Sequence, residues 1–265
     1  MFPSNRTLAV VLKPARRYLR DIFVAGLVVT GAVVSLLFSP TLSREVEVPH
    51  CGKPIHIWGH AHLTVGCDSG EFVALAGNPA LLLTPEHQIR QNRPLYSALG
   101  WAHALPFRPL GLESLGLRIL GGEVTSESGL NYRKYLPEYL GFILLNWLLL
   151  VASVELFRRL LEGRSLLETG IVLPVAILIF NEITKFFWEP HTHIFNIFIP
   201  VMSLYLFRWM QPRLSTLKWS HMIVIGLLLG LGNLAYGAFA VAVGGAVLAI
   251  LMGEGIYMLR AAIHR

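Results

Sequence analysis

Charge is what this chain has least of. Only 14% of its 265 residues are charged, against about a quarter in an ordinary soluble domain. Aspartate is rarest of all, confined to Asp21 and Asp68, and Cys51 and Cys67 are the only cysteines. Several patterns are missing as well. No Gly-Lys-Ser/Thr follows the glycine-rich stretch near the C-terminus, which excludes a phosphate-cradling P-loop. No basic platform interleaved with aromatics is present, so the formal charge of +6 does not point to nucleic acid. No internal repeat or pair of interrupted spans is visible, which argues against a transporter built on inverted repeats.

What the chain does have is apolar length. It is 54% hydrophobic, with a mean hydropathy of +0.57. This composition predicts an all-α polytopic membrane protein. Six apolar segments can be drawn, over 22–38, 139–157, 165–187, 194–209, 220–236 and 238–259. Several are near the short end for a crossing of about 20 residues. The last two are divided at Tyr236-Gly237, because glycine favours a turn and their joint length is too great for one crossing. The expected organisation is a basic arm (1–21), a first span (22–38), an extracytoplasmic loop with interfacial helices (39–138) and a five-helix bundle (139–265).

Arg and Lys cluster in the N-terminal arm, in the 158–164 and 208–218 connections, and in the tail. With six spans these all fall on one side. The positive-inside rule then places both termini in the cytoplasm of a plasma-membrane protein. The first span follows a basic arm but lacks a small-x-small cleavage site, so it reads as a retained signal anchor.

The loop over 39–138 is too long for a simple connector. Residues 45–48 alternate like a short strand. Cys51 and Cys67 lie on the oxidising side, where a disulfide closing a small loop is expected, worth about 3 kcal/mol. Within it, His56, His60 and His62 are in phase on one side of a strand. That spacing suits zinc or copper, but no fourth ligand is near, and a polar strand edge is the favoured alternative. Asp68-Ser69-Gly70-Glu71 opens an apolar run and reads as a helix start, with Asp68 or Ser69 as the cap. A carboxylate held there also suits a general base. Arg90 and Arg93 precede a short apolar run over 95–106, which is expected at the membrane interface, where the arginines suit a lipid phosphate or simply snorkel.

The densest chemistry lies at 181–193. Glu182 and Lys185 share a helical face at the end of an apolar run, either as an ion pair or as a functional site. Glu189, His191 and His193 follow in a short outer turn.

An initial span, a large outer loop with an early acidic residue, membrane-grazing helices and the Arg90-Gln91-Asn92-Arg93-Pro94 motif together resemble the GT-C superfamily. Its members are integral-membrane glycosyltransferases that use polyprenyl-phosphate sugars. The resemblance covers about residues 20–110 on short motifs, and this chain offers fewer spans than the family's usual seven or more. It implies Asp68 as catalytic base, with Arg90 and Arg93 around the donor phosphate. Glu71, Glu182 and Lys185 are further candidate substrate-binding residues. Glu189, His191 and His193 are candidate ligands for a divalent metal ion beside the phosphate, although magnesium prefers carboxylates and water. The partners so implied are the bilayer and a polyprenyl-phosphate lipid.

Two rival readings use other residues. A non-catalytic subunit would pack on a membrane-protein partner, or on a second copy, through the Gly226-x-x-x-Gly230 spacing of the last hairpin. A lipid transporter or flippase would use Glu182 and Lys185.

Overall fold

The computed structural model describes residues 53–58, 61–65, 67–83, 93–112, 135–161, 188–210 and 218–245, with isolated positions within 22–33, 213–216 and 247–252. Apart from one hairpin, the elements among these residues are helical. The hairpin pairs β1 (Lys53–Trp58) with β2 (Ala61–Val65) in antiparallel register. Here the single strand expected for the histidines is replaced by two. Trp58 pairs with Ala61, and the register shifts between His56 and Trp58. His56 faces His62 across the ladder as its register partner. His60 and Cys51 lie outside the described residues, and with Cys51 the expected disulfide.

Helix α1 (Cys67–Gly77) follows directly. It begins earlier than the capping pattern suggests, so Ser69 lies inside the first turn and does not cap it. Phe72, Val73, Ala74, Leu75 and Ala76 are all buried, as befits a helix covered on every side. A 3₁₀ turn (Pro79–Leu83) ends this segment.

Helix α2 (Pro94–Ala104) starts with proline in its first turn, where the missing N–H costs nothing. Its buried face is Tyr96, Ser97, Gly100 and Ala104, spaced by three or four residues. It is packed against α3 (Leu136–Leu160). Glycine decides that contact: a Cβ on Gly141 would lie 2.6 Å from the Gly100 carbonyl and the Ala104 amide nitrogen. The Phe142 ring in turn occupies the space where a side chain on Gly100 would go. Beyond α2, Arg108 binds Glu138 at 2.7 Å and ties the connecting turn to the start of α3.

Helix α4 (Phe195–Met210), entered through a 3₁₀ turn (Thr192–Ile194), packs along α3. At 25 residues α3 is about 37 Å long, enough for a hydrocarbon core of about 30 Å. Leu136–Leu160 and Thr192–Met210 are the two stretches, among the described residues, long and apolar enough to cross a membrane. Helix α5 (Trp219–Asn233) is apolar but shorter. Helical residues resume at 239, so the chain leaves the helix on either side of Tyr236-Gly237. The apolar run over 165–187 lies outside the described residues, as does most of 22–38.

At one end of the bundle Glu155 accepts hydrogen bonds from Arg158 and Arg159, at 2.6 and 2.7 Å, and Arg208 donates to the Leu160 carbonyl. At the other end an aromatic cluster joins α1, α2, α3 and α4. Tyr96 packs at 4.8 Å against both Phe72 and Phe142, and at 5.8 Å against Phe195. That end carries the polar groups described next.

Candidate functional site

Glu189 is the centre of the arrangement. It lies in the turn before α4 and is only 6% exposed. A buried carboxylate needs hydrogen-bond donors, and Ser69 in α1 supplies one, from Oγ to Glu189 Oε1 at 2.7 Å. The displacement of Ser69 from cap to first turn is what sends its hydroxyl there. Asn146, buried in the wall of α3, donates Nδ2 to the Glu189 backbone carbonyl at 2.7 Å. Tyr139, one α3 turn above Ile143, donates its hydroxyl to the carbonyl of Trp188. The turn is thus pinned from α1 and α3 on either side.

Arg93, immediately before α2, approaches the same turn. Its guanidinium donates to the Thr192 hydroxyl and stacks 5.0 Å from the ring centre of Tyr236. Tyr236 is itself positioned by donating to Asn196 Oδ1 at 2.8 Å and by stacking on Phe195. The Leu95 amide donates to the Leu234 carbonyl at 3.3 Å, joining this break in the last hairpin to the start of α2. Among the described residues no carboxylate forms an ion pair with Arg93. Its recorded partners are a neutral hydroxyl and a ring, so most of its five N–H donors remain for an anion.

Tyr96 completes the group. Burial pushes its hydroxyl pKa well above the ordinary tyrosine value. The Glu189 carboxylate pushes in the same direction, and Arg93 partly opposes them. Among the described residues its hydroxyl has no hydrogen-bond partner.

The metal expectation for Glu189, His191 and His193 is corrected by this geometry. Among the described residues no three His, Cys, Asp or Glu side chains gather to hold an ion. The reason is local. His191 caps the 3₁₀ turn, its Nδ1 accepting the His193 amide at 3.2 Å, and the two imidazoles stack at 3.9 Å. Glu189 meanwhile turns to Ser69.

Of the other expected site residues, Arg93 and Glu189 are brought to one locus, with α1 beside them. Asp68 is in the first turn of α1, next to Ser69, though only its backbone is described. Glu71 follows one helical turn later and is half-buried. Arg90, Glu182 and Lys185 lie outside the described residues. Tyr96, Thr192, Tyr139, Asn146 and Tyr236 were not singled out from sequence. Asn146 carried a signal, since an amide in an apolar span needs a partner. Tyr96 carried one too, lying three residues past Arg93 on the same helical face.

Comparisons with protein-family models, curated proteins and solved structures returned no match.

Proposed function

We propose that the protein is a membrane glycosyltransferase-like enzyme that takes a sugar from a polyprenyl-phosphate lipid at the outer face of the plasma membrane. In this reading the chain crosses six times with both termini in the cytoplasm. The two apolar helices and the placement of Arg and Lys support that topology. The observation that carries the chemistry is the meeting of the first turn of α1 with Arg93 and the Glu189–Thr192 turn, through contacts 120 and 99 residues apart in sequence.

The roles follow from the reaction. The acceptor hydroxyl loses its proton to the Asp68 carboxylate as its oxygen bonds to the anomeric carbon. The bond from that carbon to the phosphate oxygen breaks, and the electron pair leaves on the phosphate. Arg93 neutralises the charge that develops there. Glu189 touches neither group and positions α1 through Ser69. Arg90 is assigned to the same phosphate, and Glu71 to the acceptor.

The test is sugar transfer by full-length protein in proteoliposomes, with polyprenyl-phosphate sugars as donors. Asp68→Asn is expected to lower the rate by about 10²-fold or more, and Arg93→Ala to raise KM for the lipid. Full activity in Asp68→Asn excludes this mechanism.

One observation favours a second reading, a subunit that docks on a partner helix or on another copy. Among the described residues, a Cβ on Gly226 or Gly230 would meet nothing within 4 Å, and a small-xxx-small face of that kind suits a close helix contact. Under that reading Gly226→Leu abolishes copurification of the partner, while Asp68→Asn leaves cellular function intact.

A further inference from the structure

We propose that the Tyr96 hydroxyl is a ligand for the same lipid phosphate as Arg93, donating to a phosphate oxygen when the site is loaded. This rests on the reading that the site takes a lipid phosphate, and it adds a residue that neither the motif nor the resemblance supplied.

Position is the first observation. Tyr96 lies three residues after Arg93, on the same face at the start of α2, and Arg93 and Glu189 are its charged neighbours. The second is the hydroxyl itself, sealed from solvent and without a hydrogen-bond partner among the described residues. A buried polar atom left unpaired is unfavourable, and native structures keep few of them. The ring already has three aromatic neighbours in Phe72, Phe142 and Phe195. A phenylalanine at 96 would keep that packing without the penalty, so stability does not account for the oxygen.

The amides at the start of α2 do not offer an alternative anion site. Leu95 N–H is given to Leu234, and those of Tyr96 and Ser97 to the Arg93 carbonyl. Among the described groups at the start of α2, the Arg93 guanidinium, the Tyr96 phenol and the neighbouring Ser97 hydroxyl remain, and of these the phenol has both Arg93 and Glu189 as charged neighbours. Arg93 is held by Thr192 and the Tyr236 ring, neutral partners that a phosphate outcompetes. Burial keeps the Tyr96 hydroxyl protonated, and therefore a donor, throughout the physiological range.

The test is binding to full-length protein in lipid nanodiscs, followed by tryptophan fluorescence. The probes are a long-chain polyprenyl monophosphate, the matching polyprenol without phosphate, and inorganic phosphate. The native protein is expected to prefer the monophosphate over the polyprenol. Tyr96→Phe should weaken monophosphate binding about tenfold or more, with the unliganded unfolding temperature unchanged or raised. Equal affinity in Tyr96→Phe overturns the assignment and leaves the lipid-phosphate reading standing. A native protein that does not distinguish monophosphate from polyprenol overturns both. A lowered unfolding temperature in Tyr96→Phe shows the hydroxyl to be structural and also overturns the assignment. Inorganic phosphate binding as tightly as the lipid, and equally weakened by Tyr96→Phe, keeps Tyr96 as a phosphate ligand and overturns the lipid as its source.

Discussion

A single hydroxyl illustrates how much position matters at the scale of the residue. Ser69 one turn earlier would be an ordinary cap; inside α1 it is the donor that holds a carboxylate at 2.7 Å. Because Glu189 is buried, losing that donor leaves part of its hydrogen-bonding capacity unmet. Ser69→Ala is expected to destabilise the protein by about 1.5–3 kcal/mol, read as a lower midpoint in chemical unfolding. Tyr96 gives a second expectation. Its folded pKa lies above the unfolded value of 10.0, so the folded state keeps the phenol proton longer. The resulting stability is fully present below pH 10 and is lost as pH rises from there toward the folded value. Thermal unfolding followed from neutral pH into the alkaline range should fall less steeply in Tyr96→Phe than in the native protein.

Elements meet in this protein where side chains are absent. The α2–α3 contact places the backbone of Gly141 against Gly100 and Ala104. No flexible side chain lies between them to give way. Gly141→Val is therefore expected to force the helices apart and destabilise by about 1–3 kcal/mol or more, measured by thermal unfolding in detergent. The same change at Gly226, which has nothing within 4 Å of its Cβ position among the described residues, should leave the unfolding temperature of the isolated chain unchanged. Displacing α2 would also move Arg93 away from Thr192, since that residue leads directly into the helix. Stability and site geometry are coupled through one glycine pair.

At the scale of the whole molecule, the described residues place the Glu189 polar network at one end of the bundle and the Arg158, Arg159 and Arg208 cluster at the other. The ends are set by α3 and α4, which run in the same direction: Arg208 near the close of α4 reaches the Leu160 carbonyl that ends α3. Under the proposed topology, Arg158, Arg159 and Arg208 put that end in the cytoplasm by the positive-inside rule and the Glu189 end outside. Alkaline phosphatase fused after Gly111 should be active in cells, and the same enzyme fused after Arg265 inactive. The reverse pattern would invert the molecule and remove the oxidising side from the two cysteines.

Composition and local pattern determined that the chain has helices long and apolar enough to cross a membrane, that a short apolar helix follows Arg93, and that polar and ionisable residues collect at 189–193. These are legible because hydropathy and helix-starting signals add up along contiguous residues, without reference to distant ones. Local rules also misplaced things: they extended the histidines along one strand where the backbone pairs two, and gathered Glu189, His191 and His193 as metal ligands. Tertiary packing decided instead that His191 caps its own turn, that Glu189 takes Ser69, and that Arg93 meets Thr192 and Tyr236. Contacts across 99 and 120 residues leave no trace in local spacing. A buried carboxylate settles on whichever donor the packing of three helices brings within reach, and only the folded chain makes that choice.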